Sequence, residues 1–215
     1  MISVLLVDDH ELVRTGIRRI LEDVRGVKVV GEATDGESSV QWCREHQVDV
    51  ILMDMNMPGI GGMEATRKIL RINPDARIIV LTVHTEDPFP TKVMQAGAAG
   101  YLTKCSGPDE MIQAIRAVHA GQRYISPEIA QQIALSQFDP QQADNPFKML
   151  SEREMQIMLM ITKGHKVNDI ALKLSLSPKT VNSYRYRLFE KLAIKGDVEL
   201  TRMAIRYGML DAEIL

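Results

Sequence analysis

Five short apolar runs, each separated from the next by an amphipathic stretch, constrain this chain more than any other feature. They are SVLLV (3–7), VKVVGEA (27–33), VDVILM (48–53), ARIIVLT (76–82) and GYLT (100–103). Their length and β-branched content predict strands. Between them, Glu11 to Leu21 places Leu12, Ile17, Ile20 and Leu21 on one stripe, and Asp109 to Ala120 places Ile112, Ile115 and Val118 likewise. Strands that alternate with helices and are themselves nearly all apolar predict a parallel sheet covered on both faces. The expectation for this part is a doubly wound (βα)5 α/β domain.

The alternation stops near residue 121. QRYISPEIAQQIALSQ reads as one helix opened by Ser126 and Pro127, and the polar FDPQQADNP that follows has no period. From Ser151 every segment reads helical. SEREMQIMLMITKG starts with a Ser-x-x-Glu capping box, Ser151 and Glu154, and ends at Gly164. VNDIALKL, PKTVNSYRYRLFEKL and a last stretch from Asp197 to Tyr207 complete four helices. The expected division is an α/β domain at 1–121, a linker with one helix at 122–146, and a small all-α domain at 147–215.

Charge separates the two parts. Residues 1–122 hold 13 Lys and Arg against 17 Asp and Glu, a net of −4, whereas residues 143–208 hold 12 against 7, a net of +5. An acidic first part and a basic second part suggest different ligands, the second a polyanion. No apolar run approaches the roughly 18 residues of a membrane span. The opening MISVLLV has no basic leader and meets Asp8 and Asp9, unlike a signal peptide. Two cysteines, Cys43 and Cys105, cannot build a disulfide framework or a four-thiolate zinc site. The expected location is cytoplasmic.

In a parallel sheet the residues just past each strand share the carboxyl edge, where open α/β folds bind ligands. Here those residues are Asp8 and Asp9 after the first strand, Asp54 after the third, Thr82 at the end of the fourth and Lys104 after the fifth. Three carboxylates repel unless a cation sits among them, and oxygen ligands of this kind suit Mg²⁺ rather than zinc. A metal, a lysine and a hydroxyl around a carboxylate are the parts phosphoryl transfer requires, with Asp54 as nucleophile. Each acid taken singly could instead be a helix cap. The histidines show no ligand spacing, and Cys105 has no resolving cysteine nearby.

With Asp8-Asp9, Asp54 before MNMPGIGG, Thr82, and Tyr101-Leu-Thr-Lys104 in place, the first 120 or so residues resemble the receiver domain of two-component response regulators, a flavodoxin-like fold. The resemblance implies that Asp54 accepts a phosphoryl group from a sensor histidine kinase. It implies that Asp9, Asp54 and the Asn56 backbone carbonyl hold Mg²⁺ with Asp8 assisting, and that Lys104 and Thr82 take part. Thr82 and Tyr101 would report the phosphorylated state. Cys105 stands where many receivers have a proline.

The segment VNDIALKLSLSPKTVNSYRYRLFEKL fits a helix-turn-helix, with Ile170, Ala171 and Leu174 inward, Leu176-Ser177-Pro178 as the turn, and Val181, Leu188 and Leu192 as the buried stripe of the second helix. That helix would offer Lys179, Thr180, Asn182, Ser183, Arg185, Tyr186 and Arg187 to DNA, a mixture of phosphate-binding and base-reading groups. A protein-binding hairpin with solvated basic residues is the alternative on pattern alone. The segment from Leu150 to Leu192 is similar to the LuxR-type DNA-binding domain, and the combination resembles the NarL/FixJ class, in particular its GacA/UvrY/SirA branch. For that branch the resemblance implies a hybrid, membrane-bound kinase as donor, promoter DNA of small regulatory RNAs as target and a homodimer on DNA. The reading is therefore a phosphorylation-dependent transcriptional regulator, not an enzyme beyond its own aspartyl chemistry. A magnesium-dependent phosphatase and a receiver-linked protein-interaction module are the competing functions.

Overall fold

A computed structural model of the chain describes residues 1–82, 89–136, 145–174, 176–207 and 209–210. The order of elements through the first unit is β1 (Ile2–Val7), α1 (Glu11–Glu22), β2 (Val27–Ala33), α2 (Gly36–Glu45), β3 (Val50–Asp54), α3 (Gly61–Ile72), β4 (Ile78–Thr82), α4 (Phe89–Gln95), β5 (Gly100–Thr103), α5 (Pro108–His119), β6 (Tyr124–Ile125) and α6 (Pro127–Ser136). All five expected strands form, and their pairings are parallel in the order β2-β1-β3-β4-β5-β6.

The alternation of side chains along each strand divides the core into two layers. Val4 and Leu6 of β1, with Leu52, Ile79, Leu81 and Leu102, pack against Ile17 and Leu21 of α1 and Ile115 and Val118 of α5. Leu5 and Val7, with Ile51, Met53 and Ile78, pack against Val40 of α2 and Ala65 and Ile69 of α3. Helix α2 begins in a capping box in which Asp35 and Ser38 satisfy each other's backbone N–H groups.

The sixth strand was not expected. Tyr124 N–H donates to Ala99 O at 3.0 Å and Ser126 N–H to Tyr101 O at 3.1 Å, so the residues just before the expected helix of the linker pair with β5. Two residues are too few to show a period, and an unpaired edge is what recruits them. The sheet therefore continues past the expected limit at residue 121. Compact packing carries the first unit to Gln131, so the boundary falls within α6, whose last residues belong to the second unit.

The second unit contains a 3₁₀ turn (Pro146–Met149), α7 (Glu152–Thr162), α8 (Val167–Leu174), α9 (Pro178–Leu192) and α10 (Asp197–Arg206). Ser151 caps α7 in the expected box with Glu154, and Ser177 caps α9 by accepting from Thr180 N–H, with Pro178 in its first turn. Met155, Ile157 and Met158 of α7, Ile170 and Leu174 of α8, Val181 and Leu188 of α9, and Leu200 of α10 are buried. The methionines of EMQIMLMI are thus core filler. Phe147 meets Tyr207 edge to face at 5.8 Å. Among the described residues no helix is long and apolar enough to cross a membrane.

Candidate functional site

The strand order reverses between β1 and β3, and ligands of open α/β sheets bind at that crevice, at the carboxyl ends of the strands. Asp8 follows β1 and Asp54 is the last residue of β3, so the two acids face each other across the reversal. Both are essentially buried, at 2% and 0% exposure. Lys104, one residue beyond β5, places its Nζ 2.8 Å from Asp8 Oδ2 and 2.9 Å from Asp54 Oδ2. One ammonium thus bridges two carboxylates whose repulsion would otherwise expel them.

Burial pushes the Asp54 carboxyl above the usual carboxylate range, and Asp8 adds to this, while Lys104 and the Asn56 N–H, which donates to Asp54 Oδ1 at 3.1 Å, act against it. Burial works to lower Lys104, but the two carboxylates outweigh it and the ammonium is held above its ordinary value. The site is compact and carries charge of both signs.

Ligand atoms of Asp8, Asp9, His10 and Asp54 all lie within 4.8 Å of one another. Asp9 Oδ1 and Asp54 Oδ2 are buried and accept no well-aligned hydrogen bond, although His10 Nδ1 and Lys104 Nζ each stand 2.9 Å away. Carboxylate oxygens left in this condition fit a hard divalent cation such as Mg²⁺. His10 did not stand out by spacing in the sequence. It occupies the N-cap position of α1 without a capping hydrogen bond from its side chain; its N–H donates to Asp8 Oδ1 at 2.8 Å and its ring lies against both acids.

Thr82 ends β4, pairs with Thr103 of β5 and is fully buried, as is Tyr101. The Tyr101 phenol shares a hydrogen bond with the Thr82 side chain, and burial raises it far beyond the physiological range, so it stays neutral. The residues expected as sensor and reporter are in direct contact. Of the two thiols, Cys105 is exposed and Cys43 is pushed up to about 11 by burial.

In the second unit α8 and α9 form the two helices of the expected motif, and Lys179, Ser183, Tyr186 and Arg187 are exposed along α9 with Asn182 partly so. Thr180 is half-buried and its hydroxyl lies 2.8 Å from Ser177 Oγ in the cap. Arg187 leans over the Tyr184 ring at 5.7 Å.

Arg185 differs from the other expected DNA-contacting residues of α9 in being engaged within the domain: its Nε and Nη2 donate to Asp197 at 2.8 and 2.6 Å, its guanidinium lies 5.3 Å from the centre of the Phe189 ring, and 30% of its side chain stays exposed. It follows buried Val181 by four residues and precedes buried Leu188 by three, which puts it beside the buried stripe. It ties α9 to the start of α10.

Residues 4–116 match the response regulator receiver domain, and residues 148–204 match the bacterial regulatory proteins of the luxR family. The chain is 68% identical over 215 residues to the response regulator UvrY of Escherichia coli, covering 100% of this chain and 99% of that protein. It belongs to the response regulator family. This response regulator is also 64% identical over 212 residues to GacA of Pseudomonas aeruginosa, covering 99% of each. RcsB of Salmonella enterica serovar Typhimurium bound to the rprA promoter in the presence of a phosphomimetic superposes with a TM-score of 0.76 at 27% identity, over 94% of this chain and 97% of that one. A further RcsB–DNA complex gives 0.75 at 26%, with the same coverage. The chain is therefore a two-component response regulator with a receiver and a LuxR-type DNA-binding domain, a transcription regulator rather than a classical enzyme.

Proposed function

We propose that this response regulator takes a phosphoryl group onto Asp54 from a sensor histidine kinase, and that this controls binding of α9 to promoter DNA. The observation that carries the reading is Lys104 Nζ, held between Asp8 and Asp54 beside a set of carboxylate oxygens suited to a divalent cation. The receiver takes residues 1–121 together with β6, and the DNA-binding domain takes 147–215.

In the transfer, an Asp54 carboxylate oxygen forms the new P–O bond as the P–N bond to the donor's histidine breaks, and the leaving imidazole takes a proton from solvent. Asp8, Asp9, Asp54 and the Asn56 carbonyl would hold Mg²⁺, which when bound neutralises charge on the transferring oxygens. Lys104 would stabilise the same oxygens as a cation already held in place by Asp8 and Asp54. The Thr82 hydroxyl then exchanges its contact with Tyr101 for a phosphoryl oxygen, which alters the packing around Tyr101. Water in the same pocket hydrolyses the aspartyl phosphate and resets the protein.

On DNA, Lys179 and Arg187 meet phosphates while Asn182, Ser183 and Tyr186 face base edges, with Thr180 serving the cap; Arg185 serves the fold. Two half-sites one turn apart call for a homodimer. RcsB complexes with DNA, one of them two dimers on two parallel DNAs, support a dimer of this architecture on DNA. We carry over as proposals, from the resemblance to the GacA/UvrY/SirA branch, a hybrid, membrane-bound kinase as donor, promoters of small regulatory RNAs as targets and a cytoplasmic location.

The test is to label the full chain with acetyl phosphate and Mg²⁺, then measure binding to selected duplex fragments with and without the label. Asp54→Asn should take no label and should bind DNA like the unlabelled protein. Stoichiometric labelling of that variant, or equal DNA affinity of labelled and unlabelled wild type, would overturn the reading.

A further inference from the structure

Arg14 is a buried arginine that the phosphoryl chemistry does not use. It lies in the second turn of α1 with only 11% of its side chain exposed. Its Nη1 donates to the backbone carbonyl of Asp8 at 2.8 Å, and its Nε donates to Glu32 Oε2 at 3.1 Å. Glu32, on β2, is itself held from the other side by Arg18 Nε at 2.6 Å. Burying a guanidinium costs free energy unless its charge is matched and its donors are used, and here both conditions are met.

The recipient of the hydrogen bond matters. Beyond Val7 the chain leaves β1. Asp8 N–H still reaches Ala33 O on β2 at 3.2 Å, but the ladder to β3 has ended. The Asp8 carbonyl is the oxygen of the peptide unit that joins Asp8 to Asp9, and that unit is planar. A donor clamped on the oxygen sets the orientation of the whole plane, and with it the direction in which Asp9 leaves the backbone. Asp8 has further anchors on its carboxylate, the His10 N–H at 2.8 Å and Lys104 Nζ at 2.8 Å. Among the described residues, the Asp9 side chain is held by the exposed ring of His10.

We propose that Arg14 is a positioning residue for the cation site: by clamping the Asp8 carbonyl it fixes the peptide plane that aims Asp9, and so sets the affinity of the acid pair for Mg²⁺. The inference rests on the reading of Asp8 and Asp9 as cation ligands. Glu32 serves as the counter-ion that keeps the guanidinium in register, and Arg18 steadies Glu32. An arginine suits the task because its planar fork can serve a carbonyl and a carboxylate at once.

The experiment is a calorimetric titration of the full chain with MgCl₂, together with the Mg²⁺ dependence of labelling by acetyl phosphate. Arg14→Ala should weaken Mg²⁺ binding about tenfold, the worth of one hydrogen bond from a charged donor. Its labelling rate at saturating Mg²⁺ should return to within about twofold of wild type, because no reacting group has been removed. Arg14→Lys, which keeps a cation able to reach Asp8 O, should recover most of the affinity, and Glu32→Gln should lose about threefold. Arg19→Ala, on the exposed side of the same helix, should match wild type. A merely structural arginine would lower the unfolding temperature and leave Mg²⁺ affinity of the folded protein unchanged, and that result overturns the proposal. Should Arg14→Ala fail to fold, unchanged Mg²⁺ affinity in Glu32→Gln overturns it equally. Absence of Mg²⁺ binding by wild type would instead sink the reading of the acid pair itself.

Discussion

Gly62 stands directly against the backbone of Asp54: a Cβ at Gly62 would lie 2.1 Å from the Asp54 carbonyl oxygen and 2.9 Å from its carbon. The obstacle is space, since Gly62 lies in α3, where an L-residue is otherwise at ease. Helix α3 therefore rests on the end of β3 at the residue that carries the phosphoacceptor.

Gly62→Ala is expected to force α3 away from β3. The gain in helix propensity, about 1 kcal/mol, is outweighed by overpacking of about 1–3 kcal/mol against rigid backbone. Urea unfolding should show net destabilisation, and labelling of Asp54 should slow by about tenfold for a small displacement of the reacting carboxylate. A more stable variant would show that the contact yields easily.

Lys104→Met separates two roles of one ammonium. Phosphoryl transfer to Asp54 should fall on the order of a hundredfold, the usual loss when one fixed group stabilising the transition state is removed. Mg²⁺ should bind more tightly, because Asp8 and Asp54 lose the cation 2.8 and 2.9 Å away that competes with it. Calorimetry and labelling on one preparation check the opposite signs.

On α9, Lys179→Ala should reduce the slope of log affinity against log salt by about one unit, the signature of one lost phosphate contact. Arg185→Ala should leave that slope unchanged. It should instead lower thermal stability by about 0.2–1 kcal/mol, as should Asp197→Asn, with the double variant no worse than either single one. A reduced salt slope for Arg185→Ala would return that residue to the DNA face.

Glu154 gives the second unit a stability that depends on pH. Burial works to raise its carboxyl, but the hydrogen bonds from Lys191 Nζ at 2.6 Å and Ser151 N–H at 2.8 Å outweigh it and hold the group below its ordinary value. A depressed carboxyl contributes stability that is fully present above its unfolded value of about 4.3 and is lost as pH falls through the folded value. Thermal unfolding of wild type and Glu154→Gln should differ most above about pH 5 and converge under acid conditions. A pH-independent difference would assign the effect to packing alone.

Much of the site was legible because the strand ends were. Once five apolar runs are recognised, the carboxyl edge must bear Asp8, Asp9, Asp54, Thr82 and Lys104, and the structure brings Asp8, Asp54 and Lys104 into direct contact. The spacing of Arg185, four after Val181 and three before Leu188, already marks the flank of the buried stripe, whereas its partner Asp197 on the next helix could not be read from it. Arg14 had no such signal, because its meaning lies in a backbone carbonyl and in Glu32, eighteen positions away on another element. The same holds for β6, which forms only because β5 leaves an edge to be covered.

By itself the amino-acid sequence determined the α/β and all-α parts, the capping boxes, the two buried faces of the strands and the set of polar residues at one sheet edge. Those properties follow from periods of 2 and 3.6 residues and from the conformational preferences of single side chains, which act locally. Tertiary structure alone decided which polar atoms meet: Lys104 with Asp8 across 96 positions, Gly62 with the Asp54 carbonyl, Arg14 with the peptide between Asp8 and Asp9. A period reports which side of an element is buried, whereas the partner found there depends on how the sheet orders its strands and how close the packed helices come.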